Sequence, residues 1–352
     1  MTPKGPLLSI CIPTFNRSEL LDLCLATVLP QVSQFASEVE CVISDNASSD
    51  RTSEVITKYA GTYPVRVFRN EENIGIIGNI TKSVSELARG KFAYLIGDDD
   101  ALCEQAVERM LKVLRKKDAP DLIAVNVGYL PLSERPEAKT SLGGVKAATR
   151  KTLRQSKIDG VYPFEQLLEG PCVDFTASYS VVIRRQLWTR YFPSSCREEP
   201  FKSVRTTYPS GFIIANEMPG KCAAVISTPV VVIYEMPGEE YSWARYRALN
   251  SLIHATELLN LYRAKGVPYP ILKPYYIYQS SNRGSELGDL LWNPESVGGR
   301  RAALKFIWLL RAYPFRLLRT VLIAYGHPQA PLMLAWFSRG IIRLKQALRP
   351  SN

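Results

Sequence analysis

Acidic residues are missing from the end of this chain: residues 296–352 hold ten Lys and Arg and not one Asp or Glu. The whole sequence has 44 Lys and Arg against 33 Asp and Glu. The basic excess therefore sits in the tail, and the preceding residues are nearly neutral. Histidine is scarce, with only His254 and His327, too isolated to form a metal site. The seven cysteines (11, 24, 41, 103, 172, 196 and 222) include no CxxC pair, and several lie inside apolar runs such as "SICIP" and "ECVIS". That usage predicts a reduced compartment with Cys acting as a small hydrophobe. No run approaches about 18 uninterrupted apolar residues, so a conventional membrane-spanning helix is not expected. The start, "MTPKGPLLSICIP", lacks a positive region followed by a long apolar one, and no secretory signal is expected. No GxGxxG follows the first strand pattern, which disfavours a dinucleotide-binding dehydrogenase.

What is present is alternation. "LLSICIP", "VECVISD", "VRVFRN" and "FAYLIG" read as short strands, separated by helical patterns in "SELLDLCLATVLPQV", "SSDRTSEVITKYA" and "IGNITKSVSELARG". Ser18 is a candidate N-cap for the first helix, and Gly90 a stop for the third. This order predicts an α/β fold with a mostly parallel central sheet flanked by helices. Ligands gather at the C-terminal strand ends of such sheets. Further on, "EQAVERMLKVLRKK" predicts a helix and "DLIAVNVGYL", "YSVVIRRQLW" and "KCAAVISTPVVVIYE" predict strands, with a polar excursion at 131–160. From 240 onward the pattern is helical.

The strand ends carry the chemistry. "PTFNR" (Pro13, Thr14, Phe15, Asn16, Arg17) closes the first, and "SDNASSDRT" with Asp45 and Asp50 closes the second. Taken singly, the first reads as a turn and Asp50 as a helix cap. "ENIGIIGNI" places Asn73, Gly75, Gly78 and Asn79 at a helix start, where backbone N–H groups favour anions. The fourth strand ends in Asp98, Asp99 and Asp100. Adjacent carboxylates disfavour one another's ionisation, and a strand-end Asp pair suits Mn²⁺ or Mg²⁺ shared with a diphosphate.

These four motifs, in this order on these elements, resemble the inverting glycosyltransferases of family 2, which have the GT-A fold, over roughly residues 7–130 and more loosely to about 235. The "LIGDDD" form is similar to the branch that includes the abequosyltransferases of bacterial O-antigen synthesis. The resemblance implies a metal-dependent enzyme that moves a sugar from a nucleotide-diphosphate donor with inversion. It implies that the loop Pro13–Arg17, with Asn73, Gly75 and Asn79, lines the nucleotide and diphosphate. It further implies that Asp45 accepts a hydrogen bond from the base, Asp98 faces the ribose, Asp99 binds the metal and Asp100 supports it, so that the three Asp share one cation. The chain departs from the pattern at Gly97, where many members have the first Asp of the metal motif, and at Ser44, where many have another Asp.

Inverting transfer needs a base for the acceptor hydroxyl. The family places it shortly before a strand like "CAAVISTPVVVIY"; here Pro209 and Ser210 stand at that place. Glu199 is the chosen candidate, with Glu198, Glu217 and Asp174 as neighbours. A catalytically impaired sugar-nucleotide-binding protein is the alternative. The tail interleaves Leu, Ile, Phe and Trp with Arg and Lys, the pattern of helices in a membrane interface. Its bland reading is a packed helical cap, and its apolar content argues against nucleic acid. A basic membrane-surface adaptor is a third function class.

The expected organisation is a nucleotide-sugar-binding half at 1–130, an acceptor-binding half at 131–238, and a basic amphipathic helical extension at 239–352. The expected partners are a sugar-nucleotide donor, a glycan or lipid-linked acceptor, and an anionic membrane surface contacted through residues 300–352. The expected location is the cytoplasmic face of a bacterial cell membrane.

Overall fold

The computed structural model describes residues 5–131, 158–169, 177–235 and 244–324. Asp174, His327, most of the 131–160 excursion and the tail beyond 324 lie outside the described residues. The chain divides into two compact units, Met1–Pro237 with Ala264–Val267, and Gly238–Arg263 with Pro268–Asn352.

In the first unit the chain runs β1 (Leu8–Thr14), α1 (Ser18–Gln34), β2 (Val39–Asp45), α2 (Thr52–Ala60), β3 (Arg66–Arg69), α3 (Gly75–Thr81), β4 (Phe92–Leu95), β5 (Ala101–Leu102), α4 (Ala106–Leu114) and β6 (Leu122–Pro131). It continues with β7 (Gly160–Pro163), α5 (Phe164–Leu167), β8 (Val181–Arg184), α6 (Arg185–Tyr191), α7 (Val204–Thr207), α8 (Pro209–Glu217) and β9 (Cys222–Glu235). The nine strands among the described residues form one sheet in the order β3-β2-β1-β4-β8-β6-β9-β5, with β7 on β9. Strands β3, β2, β1 and β4 are mutually parallel, as the helix crossovers between them require. Strand β8 then joins β4 antiparallel and also pairs antiparallel with β6, while β6 and β9 are parallel. The central sheet is thus parallel in the half that carries the motifs and mixed beyond it.

Strand β1 is buried along nearly its whole length because helices cover both faces, which explains its unbroken apolar run. Leu21, Leu25 and Val28 of α1 join the same core as Ile10, Ile12, Ile43 and Tyr94. Cys11, Cys24, Cys41, Cys103 and Cys196 are buried free thiols, whereas Cys222 is exposed.

Two expected helix boundaries are corrected. Ser18 does not cap α1 with its side chain; its backbone N–H donates to Asp50 Oδ2 at 3.0 Å. The helical run after residue 75 ends at Leu87, before Gly90. A Cβ on Gly90 would stand 2.6 Å from the Ser9 backbone nitrogen, so close approach to β1 is what demands glycine there.

The second unit is helical: a short turn, α9 (Arg247–Leu249), leads into α10 (Ala255–Ala264), followed by α11 (Tyr269–Ser281), α12 (Gly284–Trp292), α13 (Gly299–Leu309) and α14 (Pro314–Ala324). No described helix is long and apolar enough to cross a membrane.

Candidate active site

Strand β1 lies between β2 and β4, and the chain leaves it to opposite sides, so the C-terminal ends of these three strands frame a crevice. Thr14, Asp45 and Asp98 come together there. Thr14 Oγ1 donates to Asp98 Oδ2 at 2.7 Å. The Arg17 guanidinium reaches both Asp98 Oδ1, at 3.1 Å, and Asp99 Oδ2, at 2.9 Å.

The loop after β1 is held from below by the loop after β2. Asn16 adopts a left-handed backbone (φ 52°), a conformation Asn tolerates better than most residues. Its backbone N–H donates to Ser48 Oγ at 2.9 Å, and its Oδ1 accepts from the Ser49 N–H at 2.7 Å. Asp50 takes the structural role that a cap implies: besides Ser18 it accepts from the Thr52 N–H at 3.0 Å, so one carboxylate ties down the starts of α1 and α2. Phe15 is left 41% exposed at the loop tip.

Asp45 is buried, with Oδ1 accepting from the Ser48 N–H at 2.9 Å and Oδ2 paired with Arg69. Arg69, at the end of β3, was not singled out by sequence reasoning; its only signal was its place near the end of the strand run "VRVFRN". Asn46 was also missed. Its Oδ1 accepts from Asn70 Nδ2 and the Ile74 N–H, both at 3.0 Å, and its Nδ2 donates to Asn73 Oδ1 at 2.7 Å. It therefore shapes the loop that leads to Gly75, itself at φ 75°.

Asn79 does not face the crevice as a free ligand group. It is 2% exposed, and its amide is tied to Ser44: Oδ1 accepts from Ser44 Oγ at 2.7 Å and Nδ2 donates to Ser44 O at 2.9 Å. This also accounts for Ser44, whose hydroxyl needs a buried partner that an ionised Asp would serve poorly beside Asn79 Oδ1.

The three Asp do not converge on one point, which corrects the expectation that they share a cation. Among the described residues no three His, Cys, Asp or Glu side chains form such a group. Asp100 is buried and turned inward, with Oδ2 accepting from the Gly97 N–H at 3.0 Å. A Cβ on Gly97 would run into Asp99 Oδ1 and stand 3.1 Å from Asp100 Oδ2. Glycine stands where many family members have the first Asp of the metal motif, and the Asp99 and Asp100 carboxylates lie where its side chain would be. Burial pushes Asp98 up to about 6 against the pull of Arg17, and burial followed by the neighbouring Asp99 pushes Asp100 well above the usual carboxylate range.

The donor set still fits a divalent cation of modest coordination. Asp98 and Asp99 already hold one positive group, Arg17, between them, and Asp99 keeps its side chain 21% exposed. A hard cation needs one or two such carboxylates, with its remaining positions filled by phosphate oxygens and water.

Among the base candidates, Glu199 is exposed and pairs with Lys202 at 3.2 Å. Glu198 pairs with Arg205. Glu217 accepts from Arg190 Nη1 at 2.6 Å and Tyr191 Oη at 2.8 Å and pairs with Lys221. Ser210, where a base was expected, has a buried hydroxyl with no hydrogen-bond partner.

This parallel half-sheet with strand-end carboxylates is the GT-A type of glycosyltransferase fold. Residues 9–165 match the sequence model of the family described as Glycosyl transferase family 2, and this stretch is a domain of that family. Over 246 residues it is 30% identical to "Abequosyltransferase RfbV" of Salmonella typhimurium, covering 64% of this chain and 66% of that one. Over 113 residues it is 32% identical to "Chondroitin synthase" of Escherichia coli, covering 32% of this chain and 16% of that one. The chain therefore spans just under two thirds of the first relative and a small part of the second. Among solved structures, S. aureus TarS 1-349 in complex with UDP-GlcNAc superposes with a TM-score of 0.51 at 13% identity, covering 92% of this chain and 88% of that one. The same protein in complex with UDP gives 0.50 at 16% identity, covering 92% and 91%. At these identities the likeness is one of fold.

Proposed function

We propose that the protein transfers a sugar, with inversion, from a nucleotide-diphosphate donor to a glycan in bacterial surface-polysaccharide synthesis. The observation that carries this reading is the meeting of Thr14, Arg17, Asp98 and Asp99 at the ends of β1 and β4. Asp45, backed by Arg69, is the acceptor for the base, and buried Asp98 is the acceptor for the ribose. Phe15 supplies an exposed ring beside them. Asp99, with Asp98 next to it, is the group that holds Mn²⁺ or Mg²⁺, and Asp100 shapes the turn beneath. A cation held there would supply charge neutralisation for the departing diphosphate. Arg17, paired with the same carboxylates, is the cation proposed to meet the diphosphate.

Glu199 is proposed as the base because its carboxylate is the least committed of the described candidates: it has one exposed partner, whereas Glu217 is held by three groups. A second reading, a sugar-nucleotide binder without turnover, is favoured by Pro209 and Ser210 at the expected base position. A lipid-linked acceptor and a peripheral place on the cytoplasmic face of the membrane complete the proposal, supported by the basic end of the chain.

The test is calorimetric titration of a panel of sugar nucleotides with Mn²⁺ or Mg²⁺, repeated on Asp99→Ala. Metal-dependent binding that disappears in the variant is the expected result. A folded protein that binds no donor would overturn the reading.

A further inference from the structure

The exposed faces of α13 and α14 have a composition that water does not favour. On α13, Ala302, Ala303 and Phe306 are buried, as is Leu310 just past its end. The opposite side carries Arg300, Leu304 and Trp308, with Arg311 in the turn that follows, at three- and four-residue spacing and all exposed, Leu304 at 68% and Trp308 at 60%. Helix α14 repeats the arrangement. Leu317, Thr320 and Ala324 are buried, while Phe315 (62%), Arg316, Arg319 and Ile323 (43%) share the exposed side. A solvated helix face normally alternates both charge signs and omits large apolar groups. Here two successive helices show large apolar side chains set only among arginines.

We infer that the exposed faces of α13 and α14 are the surface by which the protein lies on an anionic phospholipid membrane. Charge decides the occupant. Residues 296–352 contain no Asp or Glu, so that segment offers these arginines no complement, and the same face of a second copy would meet them with like charge. An anionic lipid interface supplies both requirements, phosphates for the guanidinium groups and acyl chains for the rings. Arg311 already stacks on Trp308, 4.1 Å from the ring centroid, which shields its charge while the ring enters the interface. Beside this face a cleft of about 340 Å³ is lined by Leu287, Leu291, Trp292, Leu304 and Ile307, with Arg300 as its one charged lining group. An apolar slot with a single cation fits a lipid tail below its phosphate. Lys305 is not part of this surface: it pairs with Glu257 at 2.5 Å and ties α13 to α10.

The inference gives residues to the membrane part of the proposed function and does not depend on the donor site. The full-length protein is sedimented with vesicles of phosphatidylcholine alone and of phosphatidylcholine with phosphatidylglycerol, while donor binding is titrated on the same samples. Wild type is expected to prefer the anionic vesicles, with the preference falling as salt rises. Trp308→Gln combined with Phe315→Gln is expected to weaken binding about tenfold. Arg311→Gln combined with Arg319→Gln is expected to lower the anionic preference about fivefold per arginine. All four side chains are exposed, and thermal melts establish that the variants remain folded. Three results would overturn the inference: no binding of wild type to anionic vesicles, unchanged binding by both variants, or a concentration-dependent dimer that dissociates in the Trp308 variant. Loss of donor binding with vesicle binding intact would count against the transferase reading alone.

Discussion

Thr14 Oγ1 donates to Asp98 Oδ2 across 84 residues of sequence at 2.7 Å. The bond joins the end of β1 to the turn after β4 and stabilises the ionised form of a carboxylate that burial holds up at about 6. Thr14→Val keeps the shape and removes the donor. Removing one partner of a buried bond costs about 1–3 kcal/mol, so the variant is expected to melt lower and to bind its donor more weakly at pH 7, read by calorimetry.

Arg17 occupies the carboxylate oxygens that a metal would need. Arg17→Gln is expected to bind Mn²⁺ alone several-fold more tightly while binding the nucleotide diphosphate less tightly, because one cation is removed from the metal's competitors and from the phosphate's surroundings. Manganese titration followed by electron paramagnetic resonance measures the first effect, and calorimetry the second.

Asn79 is a structural residue in this fold. Asn79→Ala leaves Ser44 without its side-chain partner and one donor of Asn70 without its acceptor. A loss of about 1–3 kcal/mol is expected in urea unfolding. Asn73→Ala, at an exposed position, is expected to cost less.

Glu199→Gln separates the two functional readings. General-base catalysis contributes about 10²–10⁴-fold, so turnover should fall by that factor with donor affinity unchanged, since the exposed ion pair with Lys202 contributes little to folding. Undiminished turnover would remove Glu199 from the mechanism.

His254 provides a pH signature in the helical unit. Burial holds its imidazole below the ordinary value of 6.5, with Glu257 raising it and Lys305 lowering it, and its Nδ1 lies 3.3 Å from Asn250 Oδ1. The unfolded chain therefore takes up the proton first as pH falls. Stability is present in full above 6.5 and declines as the pH falls through the depressed value. Melting temperature between pH 7.5 and pH 5 should drop more in wild type than in His254→Gln.

The strands β1, β2 and β4, the helices between them and the carboxylates at their ends were legible in the amino-acid sequence, because each follows from local patterns: unbroken apolar runs, helical spacing, and polar residues where a buried run stops. The amphipathic character of α13 and α14 was legible for the same reason. The direction of each side chain was not. Asp98, Asp99 and Asp100 are neighbours in sequence, yet one turns to Thr14, one remains at the edge, and one folds back onto the Gly97 N–H, because the tight turn after β4 gives successive residues different outlooks. Asn79 and Asn46 depend on partners 27 to 35 residues away, and Arg69 matters only because β3 lies against β2. The antiparallel additions of β8 to β4 and of β5 to β9 likewise required the assembled sheet. Local composition determines which segments become strands and helices and where charge collects. Contacts between distant segments, whose loop-closure cost only the assembled core can offset, decide which of those charges meet.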